Sequence, residues 1–336
     1  GCLDRFDDDE IELLGTMSAA ANRPMNWNVL TVDSREADRV PRQMEAYDRA
    51  IELGGKVIAL TMPVQVPMNM SLANFCGLFL IPGWGEVLDT DIDERISRLQ
   101  DPDTRVRLLE HGQSREAGVF RRLADWGDYI VGDTYSDENE GLSGRRVKDI
   151  AAERHMSSFG TFLDISIADR LQTIWWPTPQ DDDDESWRMR AELWSDGRAM
   201  IGGSDAGAHL DRMCGAPYPT RFIGDCINGR RLTTVEHAVQ LMTSDPASLF
   251  GLKDRGTLTV GNHADVVMLD PEAIDSGPAK LVTDLPGESA RLVADSNGIE
   301  RVLCNGVAIV EHGVTTGAVP GTLLRSGRDT RTVTAR

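Results

Sequence analysis

The sequence predicts an α/β fold in two parts: alternating helices and strands over residues 1–255, then a smaller β-rich unit over residues 256–336. Three observations carry this. Helix, strand, helix and strand follow one another at the pace of parallel strands joined by crossover helices. From Gly256 the pattern changes to short β-rich segments, residues 264–269 and 301–310, the latter with Asn305-Gly306 as a hairpin signal. No solenoid-type repeat links the two parts, so they differ in kind.

Taken in order, Asp7, Asp8 and Asp9 place negative charge at the start of a helix whose apolar positions Ile11, Leu14 and Met17 share a face. Asn22-Arg23-Pro24 ends it, and residues 25–32 (MNWNVLTV) read as a buried strand. Pro41 opens a second helix carrying Met44, Tyr47 and Ile51; Gly54-Gly55 stops it, and residues 56–61 (KVIALT) form the next strand. Residues 62–84, with Pro63, Pro67 and Pro82, suit a long loop leaving a strand end. Residues 91–112 are helical in pattern with a turn at Asp101-Pro102-Asp103, and residues 128–131 are a short strand. Residues 147–154 form an amphipathic helix, residues 163–176 read as helix or strand, and residues 187–196 are a helix. The acidic run from Asp181 to Glu185 reads as a solvated loop, because like charges repel and no glycine-spaced loop accompanies them. Farther on, Thr233-x-x-Glu236 is a capping box for a helix with Val235, Ala238, Val239 and Met242 on one face, stopped by Ser244-Asp245-Pro246.

Charge narrows the function. With 35 basic against 54 acidic residues, the net charge of −19 opposes binding to nucleic acid or an anionic membrane. Cys2, Cys76, Cys214, Cys226 and Cys304 are odd in number and form no C-x-x-C pair, which suits a reducing, cytoplasmic setting. No apolar run reaches the roughly 20 residues that span a bilayer. The chain begins at Gly1 and enters a helical pattern almost at once, which suggests a piece of a longer protein.

The stretch with most chemistry is residues 199–215, AMIGGSDAGAHLDRMCG. An apolar strand runs into Gly202-Gly203 and then Ser204-Asp205, a carboxylate at a strand exit with glycines that let other groups approach. Such a carboxylate suits catalysis or metal binding; the other use of a Ser-Asp pair there is to cap a turn.

Residues 202–272 resemble the C-terminal part of the amidohydrolase superfamily, in particular its N-acyl-D-amino-acid deacylase group. The likeness rests on Gly203-Ser204-Asp205 with His209, on Met242-Thr243, Pro246-Ala247 and Phe250-Gly251, and on residues 256–261 followed by Ala264-Asp265-Val266-Val267. Residues 302–306 and 317–330 (GAVPGTLLRSGRDT) resemble that family's closing strands. The resemblance implies a TIM-like (β/α)8 barrel, here its C-terminal part, followed by a small β-sandwich built from both chain ends. It implies a metal-dependent hydrolase of a small N-acyl amino acid or related amide, with a divalent metal, zinc in most members. Asp205 matches the aspartate that is both metal ligand and general base. His209 could contact substrate, stabilise charge or be an ordinary surface-loop histidine, and Arg221 could pair with a substrate carboxylate or form an ordinary surface ion pair. The family's first-strand H-x-H pair falls upstream of these residues, and the stretches where later histidines are expected carry Asn26, Asn28, Thr61 and Gln65 instead. Two other readings therefore stand beside the deacylase: a non-catalytic or truncated relative acting as a binding domain, and a dihydropyrimidinase-like hydrolase of cyclic amides. A partial barrel would leave strand edges open and favour a homo-oligomer.

Overall fold

The computed structural model describes residues 6–204 and 206–335, apart from the side chain of Val119. Helix α1, Asp8–Ala21, starts in a full capping box: the Asp7 carboxylate accepts from the Glu10 amide while the Glu10 side chain accepts from the Asp7 amide. Asn22 ends it in the left-handed conformation. Strand β1, Met25–Leu30, helix α2, Arg39–Glu52, and strand β2, Val57–Thr61, follow as the alternation predicts. β1 and β2 are parallel, with Asn28 beside Leu60. The buried faces differ from the sequence expectation. Met17 and Ile51 are each 50 % exposed, whereas Ser18, Ala46 and Ala50 are buried. The helices pack with small residues inward, and the Ser18 hydroxyl donates to the carbonyls of Arg23 and Lys56.

Met68–Gln180 is a compact unit of its own; Gly1–Pro67 with Asp181–Arg336 make the other. In the first of these lie α3 (Trp84–Leu88), α4 (Ile92–Gln100), α5 (Pro102–Gln113), α6 (Val147–Arg154) and α7 (Ser158–Ala168), with a two-residue antiparallel pair, β3 (Ile130–Val131) and β4 (Trp175–Trp176). The break between α4 and α5 is Asp101, which caps α5 ahead of Pro102, so the predicted turn holds. Residues 163–176, open between helix and strand, divide into the end of α7 and all of β4. The core is aromatic. Trp84 stacks on Trp126 at 5.2 Å between ring centres, and Trp126, Tyr129, Phe162 and Trp175 continue the cluster. Beneath it, the buried Asp169 carboxylate accepts hydrogen bonds from the Ser136 amide and hydroxyl, the Asn139 amide group and the Thr173 hydroxyl.

Chain order returns to the other unit with α8, Asp184–Trp194, and β5, Ala199–Ile201, which pairs parallel to β2 and completes the order β1-β2-β5. The acidic run that leads into α8, its last two residues forming the start of the helix, is more engaged than a solvated loop. Asp181 pairs with Arg190, Asp182 accepts from the Trp187 indole, Asp183 caps α8 through Ser186, and Glu185 pairs with Arg188. Helices α9 (Tyr218–Ile227), α10 (Val235–Met242) and α11 (Ser244–Leu249) follow. Thr234, one residue later than expected, caps α10, while Thr233 bonds the His237 ring at 2.8 Å. Val239 lies on the outer face of α10, 42 % exposed. Ser244-Asp245-Pro246 does end α10 but opens α11, because a proline in a first turn has no amide to lose.

From residue 266 the strands are antiparallel. β6 (Val266–Leu269), β11 (Ile299–Cys304), β12 (Val307–Glu311) and β13 (Val314–Thr315) make a four-stranded sheet in the order β13-β12-β11-β6. Asn305-Gly306 makes the β11–β12 turn, both residues at positive φ. Between β6 and β11, β7 (Asp275–Ser276) pairs with β10 (Ser296–Asn297), and β8 (Lys280–Leu285) forms a hairpin with β9 (Ser289–Val293). The fold is thus mixed α/β, with the parallel set β1-β2-β5 and the short antiparallel pair β3–β4 before residue 255 and antiparallel strands alone after it.

Candidate functional site

The parallel register brings Leu30, Thr61 and Ile201, the last residues of β1, β2 and β5, side by side. This carboxyl edge is where open α/β sheets place ligands. The Thr61 hydroxyl donates to the Leu30 carbonyl at 2.9 Å, and the Gly202 amide donates to the Thr61 carbonyl at 3.0 Å, so the three strand ends are tied together. Gly203 turns the chain at φ 77°, with the side chains of Val29 and Asn28 against it. Ser204 comes next, its hydroxyl accepting from the Ala206 amide at 3.2 Å. Asp205, the predicted catalytic and metal-binding residue, lies outside the described residues.

The following loop is exposed through residue 211 but held at intervals. His209 adopts φ 49°, and its carbonyl accepts from the amides of Arg212 and Met213, each at 2.9 Å. The Leu210 carbonyl accepts from the Leu292 amide of β9 at 2.7 Å, and the Cys214 amide donates to the Pro67 carbonyl at 3.0 Å. Gly215 is buried against Ser204. Arg221, the candidate partner for a substrate carboxylate, sits on α9 and donates to both oxygens of Asp275, at 3.1 and 3.2 Å. Its guanidinium is engaged in the surface ion pair that the sequence left open as its other use.

Sequence reasoning missed Arg190. It is 5 % exposed and donates to the carbonyls of Asp181 at 2.8 Å and Val32 at 3.1 Å, besides pairing with the Asp181 carboxylate. Gln65, on the segment after β2, donates to the Asp181 carbonyl at 3.1 Å. Asp181 is therefore a junction between the exits of β1 and β2 and the start of α8. Two guanidinium groups stand over the Trp187 ring, Arg190 at 4.5 Å and Arg230 at 3.9 Å from its centre. The signal was present in the spacing: Trp187, Arg190, Leu193 and Trp194 recur at helical intervals and are the buried face of α8. Burial lowers the Arg190 pKa, against the pull of Asp181 and Asp182. A small cleft beside Trp187 is lined by Trp194, Phe222, Asp225, Cys226 and Arg230. Burial raises the Asp225 carboxyl despite Arg230, and burial with the Asp225 charge pushes the Cys226 thiol up to about 11, which makes it a poor nucleophile at neutral pH.

Among the described residues, no three His, Cys, Asp or Glu side chains come together as a metal site would require. At the strand ends the Thr61 hydroxyl is bonded to Leu30 and the Gln65 amide to Asp181, and neutral oxygen donors are poor zinc ligands. The described residues do not fit a zinc centre.

A family model described as "Amidohydrolase family" matches residues 1–310. N-acyl-D-glutamate deacylase of Alcaligenes xylosoxydans xylosoxydans is 42 % identical over 106 residues, 32 % of this chain and 20 % of that protein. D-aminoacylase of the same organism is 30 % identical over 190 residues, 54 % of this chain and 34 % of that protein. A solved D-aminoacylase structure, described as defining a novel subset of amidohydrolases, aligns with a TM-score of 0.49 at 21 % identity, over 92 % of this chain and 51 % of that one. The chain thus spans between about a fifth and about half of the length of these relatives. No helix among the described residues is long and apolar enough to cross a membrane. Because the family model covers most of the chain, this protein belongs to the amidohydrolase family.

Proposed function

We propose that this chain carries the nucleophile-activating half of a metal-dependent amide hydrolase acting on N-acyl-D-amino acids, on a TIM-like barrel closed by a β-sandwich. The barrel reading is supported by the parallel order β1-β2-β5 with helices between the strands, and the boundary near Arg255 by the four-stranded antiparallel sheet β13-β12-β11-β6 that lies wholly beyond it. The relatives named for N-acyl-D-glutamate deacylation and D-aminoacylation support the substrate class.

The observation that carries the reading is the placement of Gly203-Ser204 at the shared carboxyl edge of three strands. Asp205, next in the chain, is the group assigned as general base: its carboxylate would take the proton of the attacking water and return it to the leaving nitrogen. The divalent metal implied by the family, zinc, would need donors other than the described residues, so no step is assigned to it here. His209 is assigned to substrate contact on the exposed loop. Arg221 would have to exchange Asp275 for a substrate carboxylate to bind one.

The test is hydrolysis of paired N-acyl-D- and N-acyl-L-amino acids by the protein of the complete reading frame, with and without added zinc. Zinc-dependent release of the free D-amino acid is expected; release from neither series by folded protein would overturn the reading in favour of a non-catalytic relative. Asp205→Asn should abolish turnover while leaving the circular dichroism spectrum unchanged, and full activity in that variant would remove Asp205 from its role.

A further inference from the structure

A hydrogen is the largest substituent that fits at position 215. A Cβ built on Gly215 would stand 1.9 Å from the Ser204 carbonyl oxygen and 2.9 Å from its carbon, both backbone atoms that cannot rotate away. The chain that leaves the strand edge at Ser204 therefore returns, eleven positions later, to lie directly against the residue it left. Gly215 is buried, and its φ is not in the left-handed region, so space and not backbone conformation is what demands glycine. The loop closed by this contact has two further ties. The Cys214 amide donates to the Pro67 carbonyl, and the Leu210 carbonyl accepts from the Leu292 amide of the β8–β9 hairpin. The Leu292 side chain is itself buried, which fixes its amide in place.

We propose that Gly215 and Leu292 are positioning residues: the Gly215–Ser204 contact and the Leu292–Leu210 hydrogen bond form a seat that fixes Ser204, the residue before Asp205, and the 206–215 loop that carries His209 at the strand edge. The catalytic consequence rests on the function proposed above; the seat itself does not. A displaced Ser204 carries Asp205 with it, and misplacement of a reacting group by about 1 Å costs on the order of a hundredfold in rate. The β8–β9 hairpin, distant in sequence from the strand edge, becomes part of the machinery that shapes the site.

Two variants and two readouts test this. Gly215→Ala forces the crossing apart, and Leu292→Pro removes one amide that bonds to the loop and not to β8. Trypsin cleavage after Arg212 reads the loop directly, without substrate or metal. Leu292→Pro should be cut there about fivefold faster than wild type or more, the factor expected from losing one hydrogen bond, and Gly215→Ala should also be cut faster than wild type. With turnover in hand, kcat of Gly215→Ala should fall about a hundredfold with KM nearly unchanged, a split that general destabilisation would not produce. Cleavage at the wild-type rate in both variants overturns the seat, and unchanged kcat in Gly215→Ala overturns its catalytic consequence. Should Gly215→Ala fail to fold, the Leu292→Pro cleavage rate decides. An inactive wild type refutes the proposed function alone, since proteolysis still judges the seat.

Discussion

Arg190 shows how much one side chain can organise. Its guanidinium is buried, bonds two carbonyls from different segments and pairs with Asp181, whose own carbonyl also holds Gln65. Removing the guanidinium leaves the carbonyls of Asp181 and Val32 without their donor and the partly exposed Asp181 carboxylate without its cation, at a cost of about 1–3 kcal/mol. Arg190→Met should therefore lower the unfolding free energy by that amount, seen as a lower urea midpoint by tryptophan fluorescence. Arg190→Lys keeps the charge but loses the fork that reaches both carbonyls, so it should recover only part of the loss. Wild-type stability in Arg190→Met would show that the junction at Asp181 holds without it. The residue was legible as part of a helix face but not as a junction, because its acceptors lie on segments that only the fold brings together.

At the scale of elements, caps separate what sequence can and cannot fix. The capping box at Asp7 and Glu10 is local, and it forms as its spacing requires. At α10 two threonines compete: Thr234 accepts from the His237 amide at 3.2 Å, while Thr233 turns to the His237 ring. Thr234→Ala should cost about 1 kcal/mol and Thr233→Ala distinctly less, measured as shifts in thermal midpoint. The reverse order would restore Thr233 as the cap. Strand positions were legible because apolar runs between glycines and prolines have one good reading, and β2, β5 and β11–β12 lie where those runs fall. Inward faces were less so. Met17 and Ile51 have the right period, yet close packing of α1 on its neighbours selects the small Ser18 and Ala50 instead. The compactness of Met68–Gln180 as a unit was not legible either, since its aromatic core gathers residues up to a hundred positions apart.

Within that unit Asp169 makes stability depend on acid. Burial pushes its carboxyl up, but the hydrogen bonds from Ser136, Thr173 and Asn139 outweigh this and hold its pKa below the ordinary carboxylate value. A group with a depressed folded pKa contributes stability that is fully present above its unfolded value, near 4 as an approximate reference, and lost as pH falls through the folded value. Unfolding followed from neutral to acid pH should show a loss that begins near that reference and that Asp169→Asn reduces. Asp169→Asn should also be less stable at neutral pH by about 1–3 kcal/mol, because a carboxamide cannot accept from all four donors. An acid profile identical in the two proteins would assign the acid sensitivity to other carboxylates.

For the whole molecule, two opposed forces act between any two copies. The net charge of −19 drives copies apart over a distance set by salt, about 10 Å at 0.1 M and about 3 Å at 1 M. Against it stand apolar side chains beyond residue 255 that lie outside any strand: Leu258 at 84 % exposure, Val260 fully exposed, Val319 at 92 % and Leu323 at 71 %. Exposed apolar surface is driven to find a partner, and a second copy is the partner always present. Repulsion should win at low salt and burial at high salt, so sedimentation should show small species in dilute buffer and larger ones as salt rises. Replacing Val260 and Val319 together by Asp removes apolar surface and adds charge at the same places. That double variant should stay small at every salt concentration while keeping the wild-type thermal midpoint, since neither side chain is buried in the fold. A wild type that sediments as one small species even at about 1 M salt, where charge repulsion is screened to roughly 3 Å, would mean that these side chains drive no association.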